Sequence, residues 1–282
     1  MRSAGDVNRD SHADLIVATN FDWKNYEKGD VARVFSGRDG RLLHAIQGDY
    51  NATDVTGVGD LNRDGNGDSA CLLPGPLAVD VLLVSGKDGK PLYRVRGIAA
   101  GARSIASAGD VNGDGTPDVL VGDKDLGALF HPGRAVVLSG KNGSVLHDLR
   151  AWDFNQVEFG WAVSGAGDVD RDGHADFLVS DCNYGGANPR QPVGAGRVWL
   201  YSGKTAKVLY TWTGAARGDV FGASVAAAGD VDRDGVPDVI VGSPGNSKNG
   251  IRSGVAHVYS GKTGLVIRTF RGKAASAMLG YS

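Results

Sequence analysis

The sequence predicts an all-β chain made of five similar units, each of them a four-stranded antiparallel sheet. Glycine accounts for 44 of the 282 residues and aromatic residues for only 7%, a composition typical of chains in which short strands are joined by tight turns. No segment shows the apolar period of about 3.6 residues that marks an amphipathic helix. An acidic pattern recurs five times, at intervals of 54, 50, 58 and 62 residues. Together these observations indicate a β repeat protein.

Each unit runs through the same elements in the same order. A first strand-like run ends at the acidic pattern, a second apolar run follows it, and a third comes after a loop of variable length. A turn that begins Ser-Gly then leads into a fourth run; these turns start at residues 36, 85, 139, 202 and 260. Four short strands in about 56 residues are typical of the blades of a β-propeller. A solenoid is the structural alternative, and it fits poorly because its repeats are usually shorter.

The five units predict a single domain over residues 1–282. Their approximate bounds are 1–54, 55–104, 105–158, 159–220 and 221–282. The last four residues, read into the first six, give "LGYSMRSAGD", which aligns without a gap with "FGASVAAAGD" at 221–230. This cyclic register favours a five-bladed ring in which the N- and C-terminal segments share one strand. The alternative is a stretch of a longer array of the same repeats.

The acidic pattern has the chemistry of a calcium loop. Carboxylate or amide side chains stand at its positions 1, 3, 5 and 9, and glycine usually stands at position 6. Calcium takes about six to eight oxygen ligands, which such a loop supplies together with the backbone carbonyl of position 7. We therefore predict up to five calcium ions. The expected ligands, with position 7 acting through its carbonyl, are Asp6, Asn8, Asp10, His12 and Asp14; Asp60, Asn62, Asp64, Asn66 and Asp68; Asp110, Asn112, Asp114, Thr116 and Asp118; Asp168, Asp170, Asp172, His174 and Asp176; and Asp230, Asp232, Asp234, Val236 and Asp238.

The five loops differ in their expected affinity for calcium. The fourth and fifth units carry Asp at position 3, whereas the first three carry Asn and so lose one negative charge each. Ser11 replaces the glycine of position 6 in the first unit, and a left-handed conformation there costs about 1–2 kcal/mol. We expect the first loop to be the weakest site. The alternative for all five loops is an Asx-type turn that holds no metal.

A further short motif precedes the acidic pattern in the later units. It reads Phe159-Gly160 and Phe221-Gly222, with Leu279-Gly280 as a variant, and "VGSPG" at 241–245 follows the fifth acidic loop. With the acidic loops, these residues resemble FG-GAP repeats, the blades of the integrin α-subunit propeller and of many bacterial extracellular proteins. The resemblance covers nearly the whole chain. It implies a calcium-stabilised adhesion or recognition module, placed outside the cell or at its surface, although "MRSAGD" lacks the apolar stretch of a signal peptide.

Catalytic motifs are absent from the sequence. We find no G-x-S-x-G elbow, no phosphate-binding loop and no HExxH pattern, so we predict that the protein is not an enzyme. A propeller-scaffold polysaccharide lyase or hydrolase is one alternative, and a purely structural repeat array is another. Cys71 and Cys182 occupy non-equivalent positions and are expected to be unpaired. The tripeptide at 217–219 reads Arg-Gly-Asp, which we interpret as a chance occurrence.

The expected partner is a protein or a glycan of unknown identity. The net charge of −2 without clusters of Lys and Arg argues against nucleic acid, and no apolar run is long enough for a membrane span. We expect a monomer. Recognition is predicted at the end of the blades opposite the acidic loops, where the candidate ligand-binding residues are Trp23, Tyr26, Trp152 and Tyr184. Packing between blades is the alternative for Trp152, for the neighbouring Phe154 and for Trp23.

Histidines are not expected to act through their rings. His12 and His174 share position 7 with Asn66, Thr116 and Val236, so their imidazoles are predicted to be exposed. One position of the fourth strand carries His44, Tyr93, His147, Tyr210 and Arg268 in the five units. This variety is typical of an outer surface.

Overall fold

The computed structural model consists of β-strands arranged in five separate sheets. It describes residues 1–19, 29–48, 51–75, 78–99, 101–124, 133–151, 158–184 and 194–282. Over these ranges it contains twenty strands and no helix, and every sheet is four-stranded and antiparallel. The predicted all-β class with five four-stranded blades is confirmed. Three candidate ligand-binding residues, Trp23, Tyr26 and Trp152, lie outside the described residues.

The strands of each blade are hydrogen-bonded in chain order, so each sheet is a simple meander. Blade 1 contains β1 Arg2–Gly5, β2 Asp14–Ala18, β3 Gly29–Phe35 and β4 Leu42–Gly48. Blade 2 contains β5 Asp54–Gly59, β6 Asp68–Pro74, β7 Val79–Val84 and β8 Pro91–Ala99. Blade 3 contains β9 Ala102–Gly109, β10 Asp118–Asp123, β11 Arg134–Leu138 and β12 Val145–Arg150. Blade 4 contains β13 Val163–Gly167, β14 Asp176–Asp181, β15 Arg197–Tyr201 and β16 Val208–Thr213, and blade 5 contains β17 Val225–Gly229, β18 Asp238–Ser243, β19 Val255–Tyr259 and β20 Val266–Arg271.

We call the four strands of a blade A to D. The A–B loop and the C–D turn lie at the same end of each sheet because consecutive strands are antiparallel. This end, which carries the acidic loops and the Ser-Gly turns, is called the loop face. The end at which strand A begins and strand B ends is called the opposite face.

In the inner blades the centre of strand B is apolar because both of its sides are covered. In β14, Phe177 and Val179 belong to the cluster shared with blade 3, whereas Leu178 belongs to the cluster shared with blade 5. Every residue of β10 and β14 is buried. The outer strand β12 alternates exposed and half-buried residues instead. This difference explains why strand B reads as a continuous apolar run while strand D is mixed.

The hydrophobic core lies between the blades. Four clusters of buried side chains fill the junctions between blades 1 and 2, 2 and 3, 3 and 4, and 4 and 5. The A strands contact one another in the order β1, β5, β9, β13 and β17. Each blade therefore completes the core of its neighbours, as the repeat pattern predicts.

The outward sides of blades 1 and 5 are open. Phe270 of β20 is 50% exposed, whereas Ile46 and Trp212, its equivalents in blades 1 and 4, are 1% and 8% exposed. Leu15 of β2 is 40% exposed. Leu279 forms a bridge with Gly254, so the C-terminal segment lies on blade 5. Closure of the ring stays a prediction.

Candidate metal centres

The five acidic loops share one hydrogen-bond pattern. The carboxylate at position 1 accepts the backbone N–H groups of positions 5 and 6, at 2.7–3.1 Å. The side chain at position 3 accepts the N–H of position 5, and that of position 5 accepts the N–H of position 7. These contacts curl the loop around its own oxygen atoms, the arrangement that a hard cation requires.

The aspartate at position 9 ties the loop to the Ser-Gly turn of the same blade. Asp176 accepts the N–H of Val169 at 2.7 Å with one oxygen and the N–H of Gly203 at 2.8 Å with the other. The same pair of bonds occurs in all five blades, at Asp14, Asp68, Asp118, Asp176 and Asp238, and each of these residues is fully buried. The Ser-Gly turn, predicted only as a connection between strands, therefore also holds the acidic loop of its own blade.

The glycine of the Ser-Gly turn is required by close packing. A Cβ atom on Gly203 would lie 1.9 Å from the carbonyl oxygen of Ala175, which is position 8 of the acidic loop. The equivalent glycines of the other blades meet the same carbonyl within 1.7–2.0 Å. Any side chain here would push the turn away from the carboxylate that it holds.

Two positions of each loop adopt a left-handed conformation. Position 6 was predicted to do so, and Ser11 is left-handed with a φ of 66°. Position 4 is left-handed as well, although it holds glycine only in blade 3, at Gly113. In the other blades it is an arginine, and Arg63 and Arg171 each donate to a backbone carbonyl of the next acidic loop, Asp114 O at 3.0 Å and Asp234 O at 3.3 Å. The arginine head group therefore links neighbouring loops.

Carboxylates converge most closely in blades 4 and 5. Oxygens of Asp168, Asp170 and Asp176 lie within 4.8 Å of one another, and so do those of Asp230, Asp232 and Asp238. Burial raises the pKa of Asp176 to about 6, against the lowering effect of the hydrogen bonds that it accepts from the backbone N–H groups of Gly203, Val169 and Asp170. Burial also raises the pKa of Asp68 and Asp118. A cation in these loops would offset both the desolvation and the mutual repulsion of the carboxylates.

Blade 1 differs from the other blades at position 3. In blades 2 and 3 the Asn amide donates to the aspartate at position 5, at 3.2 Å. Nδ2 of Asn8 is buried and has no hydrogen-bond partner among the described residues. A buried amide donor is unfavourable next to a cation, and this agrees with the expectation that the first loop is the weakest.

Two expectations about polar side chains on the blades are wrong. His174 is not an exposed bystander, because its Nδ1 lies 2.8 Å from the carbonyl oxygen of Val111 in blade 3; His12 is exposed, as predicted. The strand D position is not an outer surface site either. His44, Tyr93, His147 and Tyr210 each contact a carbonyl in the Ser-Gly turn of the next blade, namely Gly86, Gly140, Gly203 and Lys262. We call these four contacts the strand D latches.

Other candidate residues from the sequence occupy distinct places. Tyr184 is half-buried on the opposite face, beneath the guanidinium of Arg197, whose Cζ lies 3.6 Å from the ring centroid. Asp219 of the Arg-Gly-Asp tripeptide is 6% exposed, and its carboxylate accepts from the backbone N–H of Ala216 at 3.0 Å and from Asn246 Nδ2 at 3.2 Å. A buried aspartate is not available to a partner, and this favours the chance interpretation. Cys71 and Cys182 are buried and unpaired.

Sequence reasoning missed a group of residues on the opposite face. Asp181 ends β14 fully buried, and burial raises its pKa to about 7. Near it, Lys124 and Arg103 lie over the ring of Trp161, with Nζ and Cζ at 4.2 and 5.1 Å from the centroid. The predicted ligand-binding residues were aromatic residues of the variable loops. Trp161 comes just before strand A of blade 4 and lies outside those loops, so no sequence signal pointed to it.

The described residues hold no helix that is both long enough and apolar enough to cross a membrane.

The chain is similar in sequence to two repeat-family models and to integrin α subunits. An FG-GAP repeat family model matches residues 221–259, and an FG-GAP-like repeat model matches residues 110–179. Integrin alpha-V of Gallus gallus is 29% identical over 67% of this chain and 19% of its own length, and integrin alpha-IIb of Homo sapiens is 32% identical over 55% and 16%. Integrin alpha-4 of Xenopus laevis is 26% identical over 48% and 14%. The chain spans less than a fifth of the length of these curated relatives.

A solved structure supports the fold alone. The crystal structure of Saccharomyces cerevisiae Sqt1 superposes with a TM-score of 0.54 at 11% identity, over 84% of this chain and 55% of that one. The repeat-family matches include the acidic loops of blades 3, 4 and 5. The chain contains FG-GAP repeats, matched at residues 110–179 and 221–259, and it is similar to integrin α subunits.

Proposed function

We propose that this chain is a calcium-dependent recognition module that binds a macromolecular partner outside the cytoplasm and carries out no catalysis. The observation that carries the proposal is the repetition of one loop geometry in all five blades, with three carboxylates converging in blades 4 and 5. Similarity to integrin α subunits supports an adhesive role at the cell surface. Loops of this type fill at about 0.1–1 mM calcium, which is the range found outside cells.

Calcium explains features of the loops that a simple turn leaves unexplained. An Asx-type turn needs one side-chain acceptor, whereas each loop here places four oxygen-bearing side chains close together and buries the last of them completely. Burying a carboxylate beside others is costly unless a cation compensates. In blade 4, Asp168, Asp170, Asp172 and Asp176 would hold the ion, and in blade 5 Asp230, Asp232, Asp234 and Asp238 would do so. The ion would supply positive charge that locks strand A to strand B.

Thermal unfolding with and without a chelator tests the proposal. Calcium at about 100 times its dissociation constant should stabilise the fold by about 2.7 kcal/mol per coupled site, and we expect several bound ions per chain by elemental analysis. Asp170→Asn with Asp232→Asn should reduce this calcium-dependent rise in Tm and leave Tm in chelator nearly unchanged. Asp88→Asn, at an exposed acid outside the acidic loops, is the matched control and should behave like the parent chain.

Two results would contradict the proposal. One is the absence of both a Tm shift and bound metal, which would reduce the loops to turns. The other is an equal loss of the calcium response in the control variant, which would point to a general effect of charge rather than to the loops.

A further inference from the structure

On the opposite face, three cations lie over two aromatic rings at the junction of blades 3 and 4. Lys124 Nζ and Arg103 Cζ lie over the ring of Trp161, at 4.2 and 5.1 Å from its centroid, and Arg197 Cζ lies 3.6 Å from that of Tyr184. Lys124 follows the end of β10, Arg103 and Trp161 stand at the starts of two A strands, and Arg197 begins β15. Topology therefore brings three cations to one end of two adjacent blades.

The aromatic rings hold the cations in place. The backbone N–H of Trp161 donates to Glu158 O and Ser180 O at 2.9 and 3.1 Å, and its Nε1 donates to Ala223 O at 3.2 Å. The backbone of Trp161 and its indole nitrogen are both held by hydrogen bonds, so the ring is a rigid support for the two cations above it. A guanidinium that faces a ring keeps its in-plane N–H groups available for a carboxylate, and it loses less side-chain entropy on binding.

The carboxylates of this region hydrogen-bond to groups other than Arg103 and Lys124, and Oδ2 of Asp181 has no partner among the described residues. Asp123 and Asp181 are buried, and they accept the backbone N–H groups of Gly101 and Asn183, each at 3.0 Å. Glu158 accepts from the thiol of Cys182 at 3.3 Å. Among the described residues, neither Arg103 nor Lys124 forms an ion pair with a carboxylate within 4.0 Å. Two cations on a fixed support thus lack an anionic partner within the described part of the chain.

We propose that this surface, centred on Arg103, Lys124 and Trp161, binds an acidic protein segment through its Asp or Glu side chains. The proposal rests on the recognition role proposed above and names the chemistry of the partner. Charge complementarity favours carboxylates. A protein segment is favoured over a sugar because the rings of Trp161 and Tyr184 already have cations over them and are less available for stacking against a pyranose.

Binding of a labelled peptide of consecutive glutamates, followed by fluorescence anisotropy at low salt, tests the proposal. The parent chain should bind the glutamate peptide and ignore a glutamine peptide, and added salt should weaken the binding. The double variant Arg103→Gln with Lys124→Gln should bind about tenfold more weakly. The matched control is Lys87→Gln with Lys141→Gln, which removes the same charge from two exposed lysines of the loop face and should change the affinity by less than about twofold.

A second variant distinguishes binding that needs the fixed position of the cations from binding that needs only the net charge. Trp161→Leu keeps every charge and removes the support, so it should weaken binding as well; a surface that attracts the peptide only by its overall charge would be unaffected. A Tm measurement confirms that each variant is folded.

Three outcomes would overturn the proposal: no binding by the folded parent chain, an equal loss in the control variant, or binding of polygalacturonate without binding of the glutamate peptide. All titrations are repeated in calcium and in chelator, with Tm recorded in each. If the calcium assignment is wrong, calcium should not shift Tm. If this proposal is wrong, calcium should still shift Tm but the glutamate peptide should not bind, so the two failures are distinguishable.

Discussion

Ser11 is the residue at which the first acidic loop departs most clearly from the other four. Its φ of 66° lies in the left-handed region, and every other blade has a glycine in that region at this position, for example Gly173 with a φ of 88°. Together with the unpaired Nδ2 of Asn8, this strain marks blade 1 as the least favourable metal site. Both features are local, since they arise from single residues in a loop whose backbone matches its counterparts.

Replacing Ser11 should therefore stabilise the protein. Ser11→Gly relieves the left-handed strain and should raise the free energy of unfolding by about 0.5–1 kcal/mol, after the entropy that glycine adds to the unfolded chain is taken into account. Chemical denaturation in chelator measures the change. The reciprocal variant Gly173→Ser is the control, because a Cβ atom there meets nothing within 4 Å, and it should destabilise by a similar amount. A neutral or destabilising Ser11→Gly would show that the serine is not strained.

At the scale of elements, the carboxylate at position 9 joins two connections that are distant in sequence. Asp176 and Gly203 are separated by 27 residues, yet their hydrogen bond fixes the A–B loop against the C–D turn. Position 9 is therefore a structural residue as well as a candidate ligand, whereas position 3 is chiefly a candidate ligand.

Substitutions at these two positions should separate the roles. Asp176→Ala leaves the N–H groups of Val169 and Gly203 without partners in a buried site and should cost about 2–4 kcal/mol in chelator. Asp170→Ala should cost less than about 1 kcal/mol in chelator and act mainly on the calcium response. Urea denaturation of both variants, with and without calcium, provides the comparison. Equal losses of unfolding free energy for the two variants in chelator would show that the hydrogen bonds accepted by Asp176 contribute little.

The sequence predicts elements better than it predicts contacts between them. The acidic loops and the double-sided apolar B strands follow from patterns within about fifteen residues. The strand D latches were not predictable, because His44 and Tyr93 look like variable surface residues until the next blade is placed beside them. Arg171 was missed for the same reason, since a left-handed arginine has no local sequence signal and its partner is in the next loop.

At the scale of the whole molecule, whether the ring is closed in solution depends on whether the outward side of blade 5 is covered. Phe270 is half exposed on that side, and its equivalent Ile46 is buried in the junction between blades 1 and 2. Arg268 stands at the latch position of blade 5. If another blade packed against this side as in the junction between blades 1 and 2, Phe270 would be as buried as Ile46.

Alanine substitutions at equivalent positions test this point. With the outward side of blade 5 open, Phe270→Ala should cost about 1 kcal/mol, because a half-exposed side chain loses only part of its burial energy. Ile46→Ala should cost about 2–5 kcal/mol. Denaturant unfolding of both variants gives the comparison. A cost of about 3–5 kcal/mol for Phe270→Ala would show that a fifth junction forms and that the terminal blades meet.

The strand D latches have a consequence for how such chains change over evolutionary time. Each latch connects a blade only to the blade that follows it, through a backbone carbonyl rather than through a particular side chain. A duplicated or deleted unit therefore meets the same backbone acceptor in its new neighbour, and either His or Tyr at the strand D position contacts it. Gene duplication can therefore lengthen or shorten the array by whole units without losing this backbone acceptor at the new junctions.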